Sequence, residues 1–573
     1  MYLDVVPNRG SPPAILLRES VRDGDKIVKR TLANLSALSL SQVEPLRAIL
    51  RGETLVAPTD AFDKVCDRQH GACEAVRIAM RRIGFEALLD SRRSRERDLV
   101  VAMIAARILQ PKSKLATTRS WARYTLAVDL RVHDADEKEL YAAMDWLFER
   151  QARIEKKLAA RHLTSGGLAL YDLSSSYFEG VTCPLAKLGH SRDGKPGTLQ
   201  VNYGLMTDAL GCPVAVSVYP GNTNDSKTLV PQITKLRDEF GVKDVVLVGD
   251  RGMISQKQID VMTPLEGLAW ITALRTERIK KLVEDGSIQI GLFDEKNLFE
   301  LTHDDYPGER LVACKNHELA KRRAHKREAL LAATEAELTK VKKSVDKRRL
   351  HDAAKIGLRV GKVIGRYKVA KHFVLDISDH AFAFRRDDDH VREEAALDGI
   401  YVVRTSLPEE RATAADAVRS YKKLSRVERA FRTIKTGDLS VRPIHHRLED
   451  RVRAHIFLCV LAYYVEWHMR RALRPMLFAD EMTDAQKDQR DPVAPARRSA
   501  AALRKIETRR LDDGSPAHDF RSLLDDLALV VRSTCRTRGA KEEEPSFDVV
   551  TSLNAKQGRA LDLLSKIAVY PVR

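Results

Sequence analysis

A chain of 573 residues, 44% hydrophobic, has length for about three to five domains at roughly 150 residues each and enough apolar material to fill their cores. Its 98 Lys plus Arg against 80 Asp plus Glu leave a net charge of +18, which favours a polyanionic partner, nucleic acid by default, because each neutralised phosphate releases bound counterions. Seven cysteines without a C-x-x-C pair support neither a disulfide framework nor a zinc site, and neither the N-terminus, with Asp4 and Pro7, nor the longest apolar run, Ile456 to Val465, reads as an export signal or a membrane span, so a cytoplasmic protein is expected.

From Ala14 to Thr31 two apolar runs flank Asp23-Gly24-Asp25, the pattern of a hairpin with a glycine-containing turn, inside an N-terminal module assigned to residues 1–83. Residues 84–165 alternate apolar and charged positions at helical spacing. The cluster Arg92, Arg93, Arg95 and Arg97 there suits either a helical DNA-binding domain or a solvated basic helix, and both readings stay open.

At residue 166 the period changes. Gly166 to Asp172 is an apolar run ending on a carboxylate, Leu199 to Leu205 alternates as a second strand, and Pro213 to Tyr219 follows as a third. A helix from Ser226 to Phe240, with Asp225 placed to cap it, precedes Asp244 to Asp250, a continuous apolar strand of the kind buried on both faces. The order strand, strand, strand, helix, strand is that of a ribonuclease H-like core, in which the first and fourth strands lie side by side. Asp172 and Asp250 would then end neighbouring strands. This first part of the core is assigned to 166–278, with Trp270 in an apolar strand as core.

Residues 279–397 interrupt the pattern as an insertion domain with short strands and a long charged helix. Between Lys315 and Lys371 there are 18 Lys plus Arg against 6 Asp plus Glu, a net +12. Lys321, Arg322, Arg323, Lys326 and Arg327 are its densest cations and candidate phosphate contacts, against the plainer reading of a solvated helix face. The core resumes over 398–475. On the helix from Tyr421 to Lys435, the residues Leu424, Val427, Phe431 and Ile434 form an apolar stripe, and Glu428, Arg432 and Lys435 share the adjacent face. An apolar helix follows from Ala454 to Arg470. Residues 476–573 read as a helical C-terminal region. The whole is an α/β protein: a ribonuclease H-like mixed sheet flanked by helices, interrupted by an insertion domain, with helical N- and C-terminal regions.

Taken singly, the three acids read as structural: Asp172 as cap of a Ser174-Ser175-Ser176 turn, Asp250 as a strand-end turn residue, Glu428 as half of a helical Glu–Arg pair. Taken together in this fold order they converge in one cleft, and such carboxylates repel one another unless divalent cations lie between them. Two Mg²⁺ ions, with Mn²⁺ as a substitute, held about 3.5–4 Å apart by Asp172, Asp250 and Glu428, would serve in-line displacement at phosphorus. His190, Arg192 and Asp193 lie in the loop between the first two strands, within reach of the cleft, with Arg192 suited to positioning DNA. His445 and His446 suit phosphate contact or plain polar surface better than catalysis.

The segments YDLSSSYFEG (171–180), GHSRDGKPGTLQVNYGL (189–205), YPGNTNDSKTL (219–229), VVLVGDRGM (245–253) and RPIHHRLEDRVRAHIFLCVLAYYV (442–465) resemble the DDE transposases of bacterial insertion sequences, in the IS4 family and its branch close to the IS1634 group. The resemblance covers most of residues 166–470, and the arm at 14–31 is similar to the N-terminus of that group. The family's Y-x2-R-x3-E-x6-K signature falls on Tyr421, Glu428 and Lys435, with Leu424 at its arginine position; whether Arg426 or Arg432 substitutes stays open. The resemblance implies metal-dependent DNA strand cleavage and strand transfer. It implies double-stranded DNA as partner, at terminal inverted repeats and at target DNA, with a homodimer on two ends near the prokaryotic nucleoid. Tyr421, Arg432 and Lys435 would then contact DNA. A ribonuclease H-like nuclease without joining activity and a non-catalytic DNA-binding regulator are the alternatives.

Overall fold

Asp23 and Lys26 face each other across a two-residue turn in which Gly24 takes φ +61°, a conformation that glycine adopts without steric cost. The expected hairpin thus forms from strands Ala14–Asp23 and Lys26–Asn34, with Tyr2–Val6 added on the other side. The computed structural model describes residues 1–568 except 54, 56, 58, 59, 484, 485, 487, 488 and 542. It divides into one unit of residues 1–69 with 531–552 and another of 70–530 with 553–573.

The smaller unit departs from the expectation of a module spanning 1–83. Its second sheet pairs Phe62–Gln69 with Val531–Thr537, which in turn pairs with Phe547–Val550. The C-terminal region is therefore only partly helical. Val531, Ser533 and Cys535 alternate with polar Arg532, Thr534 and Arg536, the period of a strand, and their partners lie far away in sequence.

In the larger unit the central sheet carries β1 (Leu168–Tyr177), β2 (Leu199–Thr207), β3 (Pro213–Pro220), β4 (Val245–Gly249), β5 (Leu268–Ala273), β6 (Leu298–Leu301), β7 (Arg310–Lys315) and β8 (Ile400–Thr405). The order is β6-β7-β8-β5-β4-β1-β2-β3, with the two-residue strand Lys187–Leu188 also on β2. β1, β4 and β5 run parallel and the other pairings are antiparallel. The portion β3-β2-β1-β4-β5 is a mixed sheet consistent with a ribonuclease H-like core. Strands β4 and β5 are buried throughout. Val246 and Val248 enter the cluster that holds the helix Glu449–Ala472, while Val245 and Leu247 enter the one on the opposite face with Leu229, Ile233, Ile259 and Met262. Helices on both faces explain why these strands are continuously apolar. Trp270 is core, 1% exposed.

Two expectations change here. β1 does not end at Asp172: it continues to Tyr177, and Ser174, Ser175 and Ser176 are buried strand residues facing β2, with Ser176 Oγ 2.9 Å from the Tyr203 hydroxyl. The expected insertion is only in part separate, because β6 and β7 extend the central sheet through β8. What projects is a helical hairpin, His317–Asp346 and Ala353–Tyr367, with strands Phe373–Ile377 and Phe382–Arg386, around its own core of Leu331, Leu338, Val341 and Ile356.

The helical segment after residue 84 shares one hydrophobic cluster with the sheet and with the helix Glu449–Ala472. Three members of its basic cluster find acceptors within the fold, while Arg93 and Arg95 remain exposed. Arg93 Nε lies 2.7 Å from Asp98, Arg95 holds Glu139 at 2.6 Å and Asp134 at 3.2 Å, and Arg97 is buried against the Asp90 carbonyl. These guanidiniums tie helices together. Among the described residues no helix is long and apolar enough to cross a membrane.

Candidate active site

The parallel register of β1 and β4 ends at Tyr171 opposite Gly249. The next residue on each strand is an acid, so Asp172 and Asp250 emerge side by side where the pairing stops. A Cβ on Gly249 would lie 2.9 Å from Ile254 Cδ1, so a larger residue there would have to displace the end of that side chain. Gly204 on β2 is required more strictly still. A Cβ on it would stand 2.0 Å from the hydroxyl oxygen of buried Tyr171, the neighbour of Asp172.

Glu428 comes from the helix Leu424–Lys435, separated at Lys423 from the helix Ala414–Lys422. Val427, Phe431 and Ile434 of the expected stripe are buried, with Leu424 half-buried. The Phe431 ring meets Tyr203 of β2 edge-on at 5.7 Å. Packing on β1 and β2 leaves Glu428 exposed on the side toward the aspartates. Burial pushes the Asp172 carboxyl up to about 7, and the charges of Asp250 and Glu428 push the same way, opposed by the backbone N–H of Leu173 and by Arg192. The backbone N–H donates to Asp172 Oδ1 at 2.8 Å, and that of Arg251 to Asp250 Oδ1 at 2.7 Å. The three acids the sequence singles out are thus electrostatic neighbours. Their donor set is all carboxylate oxygen, and bringing them together costs energy that a hard divalent cation offsets, so the residues fit Mg²⁺ or Mn²⁺. Among the described residues their oxygens do not all fall within 4.8 Å of one another.

The side chains expected at DNA divide. Arg432 is exposed one helical turn beyond Glu428 on the same face. Arg426, the other candidate for the missing signature arginine, is instead bound to the Ala209 carbonyl in the turn between β2 and β3. The Tyr421 hydroxyl donates to Asp250 Oδ1 at 3.4 Å, and burial, then the Asp250 charge, hold its phenol well above the usual range. Lys435 is buried, its Nζ 3.0 Å from Asp193 Oδ1, and burial lowers its pKa while Asp193 opposes that. Asp193, whose side chain is 1% exposed, also binds Arg442 and accepts the Tyr177 backbone N–H at 3.0 Å. Lys435 is therefore a buried cation held by Asp193. Arg192 donates its backbone N–H to Ser175 Oγ and its guanidinium to Asp225, which places it near Asp172.

In the projecting hairpin Lys321, Arg322, Arg323 and Lys326 are exposed, Lys321 3.4 Å from Glu318. Arg327 is different: it forks onto Asp398 at 2.6 and 3.1 Å and anchors the hairpin. The role of Asp193 as a hub could not be read from spacing, since its partner Lys435 lies 242 positions away.

Comparison with known families bears on this arrangement. Residues 182–465 match the model of the transposase DDE domain, and residues 3–60 match that of the N-terminal domain of IS1634 family transposases. The first span contains Asp250 and Glu428 and begins ten residues after Asp172. No curated protein matches the chain.

Proposed function

Because the chain belongs to the DDE transposases, in the IS1634 group, we propose that it binds the terminal inverted repeats of an insertion sequence and catalyses metal-dependent cleavage and strand transfer of DNA. The observation that carries this reading is the emergence of Asp172 and Asp250 on neighbouring parallel strands, with the Glu428 charge acting on Asp172. Asp172, Asp250 and Glu428 would hold the ions. When bound, divalent cations activate the attacking water or 3′-hydroxyl and stabilise the leaving oxygen.

The other residues prepare this centre. The Leu173 and Arg251 backbone N–H groups and the Tyr421 hydroxyl fix carboxylate oxygens before any ligand arrives, so little reorganisation remains to be done. Arg432 takes the phosphate contact that Leu424 cannot make. Arg192, beside Asp172, and the exposed cations Lys321, Arg322 and Arg323 of the hairpin bind backbone phosphates, the latter by charge alone. The working species is a dimer joining two ends.

The test compares wild type with Asp172→Asn, Asp250→Asn and Glu428→Gln on a duplex carrying an end of the element, in Mg²⁺ or Mn²⁺. The variants should bind as wild type does and fail to cut. Normal cleavage by all three would overturn the assignment. Cleavage without any joined product in wild type would point to a nuclease.

A further inference from the structure

Away from the acids, a cavity of about 290 Å³ opens between the helical segment and the segment that follows the Glu428 helix. Arg107 enters it from the end of the helix Arg95–Leu109, Lys112 from the turn beyond and Lys114 from the start of the helix Lys114–Ser120, while Arg442, held by Asp193, and His446 line the opposite wall. No carboxylate lines it. Lys114 is 6% exposed, and among the described residues no acid pairs with it; the largest charge effect on it comes from Arg107, another cation, with Cys459 opposing. Burial, reinforced by Arg107, depresses its ammonium pKa to about 7. Arg107 is itself buried and, among the described residues, donates to the Leu439 and Ser440 carbonyls, each at 3.4 Å. Two uncompensated cations facing one cavity are disfavoured unless an anion joins them.

The cavity also has a defined relation to the acids. Ile444, two residues past Arg442, bridges to Phe178 just beyond β1, and Asp172 lies on that strand five residues before Tyr177. At the rise of a β-strand this puts the bridge roughly 20 Å along the chain from Asp172. Roughly six base pairs of duplex cover that distance at about 3.4 Å each.

We propose that the cavity of Arg107, Lys112 and Lys114 seats one backbone phosphate of the DNA flanking the scissile bond. The inference rests on the transposase reading. Ammonium and guanidinium groups converging without a carboxylate match a phosphodiester in charge and in donor supply. The half-buried position of Lys112 at the mouth leaves a path for a phosphate carried on a chain.

The experiment measures affinity of the full chain for a fluorescent DNA duplex across a salt series. Lys114→Gln should lower the slope of log affinity against log salt by about 0.9, the change expected when one phosphate is no longer neutralised. Without DNA its melting temperature should equal or exceed that of wild type, because a buried unpaired charge is gone. Lys112→Gln, at the half-buried mouth, should also lower the slope, and it carries the test if Lys114→Gln does not fold. Slopes unchanged in both variants would overturn the proposal. A parallel arm melts the proteins with inorganic phosphate: stabilisation of wild type but not of Lys114→Gln, with DNA slopes unchanged, would make this a free-anion site and also overturn it. Failure of wild type to bind duplex at any salt would strike the transposase reading itself, a distinguishable result.

Discussion

The Tyr421 hydroxyl lies 3.4 Å from Oδ1 of Asp250, and so holds one oxygen of a carboxylate whose other oxygen is left to the cleft. Tyr421 therefore acts on the acid before it acts on DNA. Tyr421→Phe should fold normally and bind duplex as wild type does while cutting roughly ten- to a hundredfold more slowly, since a hydrogen bond to a charged group is worth about 1.5–3 kcal/mol. Anisotropy and single-turnover cleavage check this. Weakened DNA binding with undiminished cleavage would assign the hydroxyl to phosphate instead.

Lys435 should matter for folding as well as for activity. Its removal leaves Asp193, 1% exposed, with Arg442 as remaining cation. Complete loss of a buried partner costs about 3–5 kcal/mol, and Arg442 offsets part of that, so Lys435→Ala should lose about 1–3 kcal/mol in urea titration. A variant with wild-type stability would return Lys435 to the DNA surface.

How much of this was legible depended on how local each signal is. Val245 to Gly249 could be recognised as a doubly buried strand because every residue is apolar, and with it the place of Asp250. The extension of β1 past Asp172 was masked by Ser174, Ser175 and Ser176, whose small hydroxyls suit a turn as well as a buried strand when the Tyr203 partner is unknown. Glu428 was marked by its position beside Val427 and Phe431. The partners of Tyr421 and Lys435 were not legible, because 171 and 242 positions separate them from Asp250 and Asp193. The joining of β6 and β7 to the central sheet and of Val531–Thr537 to Phe62–Gln69 is likewise long-range pairing, which local periodicity does not encode.

Asp208, in the turn between β2 and β3, should make stability fall with pH. Burial pushes its carboxyl up to about 6, against the backbone N–H groups of Cys212 and Leu210. The folded state thus holds the proton more tightly than the unfolded chain, whose carboxyl titrates near 3.8. Its contribution is full below that value and is lost as pH rises through about 6. Asp208→Asn keeps an acceptor for both N–H groups and removes the charge. It should exceed wild type by on the order of 2 kcal/mol at pH 8 and match it at pH 4. Equal stabilities at both pH values would show that the carboxyl is not buried as described.

The exposed cations of the hairpin should act additively and without sequence preference. Changing Lys321, Arg322, Arg323 and Lys326 to Gln should lower the salt slope by up to about 0.9 for each phosphate that is no longer neutralised. Arg327 must be kept, since its fork onto Asp398 anchors the hairpin. An unchanged slope in a variant that melts as wild type does would remove the hairpin from the DNA interface.

Gathering three acids in one place has an energetic cost that metal should relieve. Asp250 and Glu428 both raise the Asp172 carboxyl, so the folded state carries a repulsion that the unfolded chain lacks. A ligand that binds only the folded state stabilises it by mass action, about 2.7 kcal/mol at a hundred times its dissociation constant. Wild type should therefore melt several degrees higher in millimolar Mn²⁺ than in EDTA. Asp172→Asn should show two opposite effects: a melting temperature in EDTA at pH 8 at or above that of wild type, because one member of the repelling set is neutral, and a much smaller gain on adding Mn²⁺, because one ligand is gone. A merely structural Asp172 would not produce that crossing. If Asp172→Asn were destabilised in EDTA and gained as much from Mn²⁺ as wild type, the acids would not share a metal, and the assignment of Asp172 to the active site would fail while the strand register that places it beside Asp250 still stood.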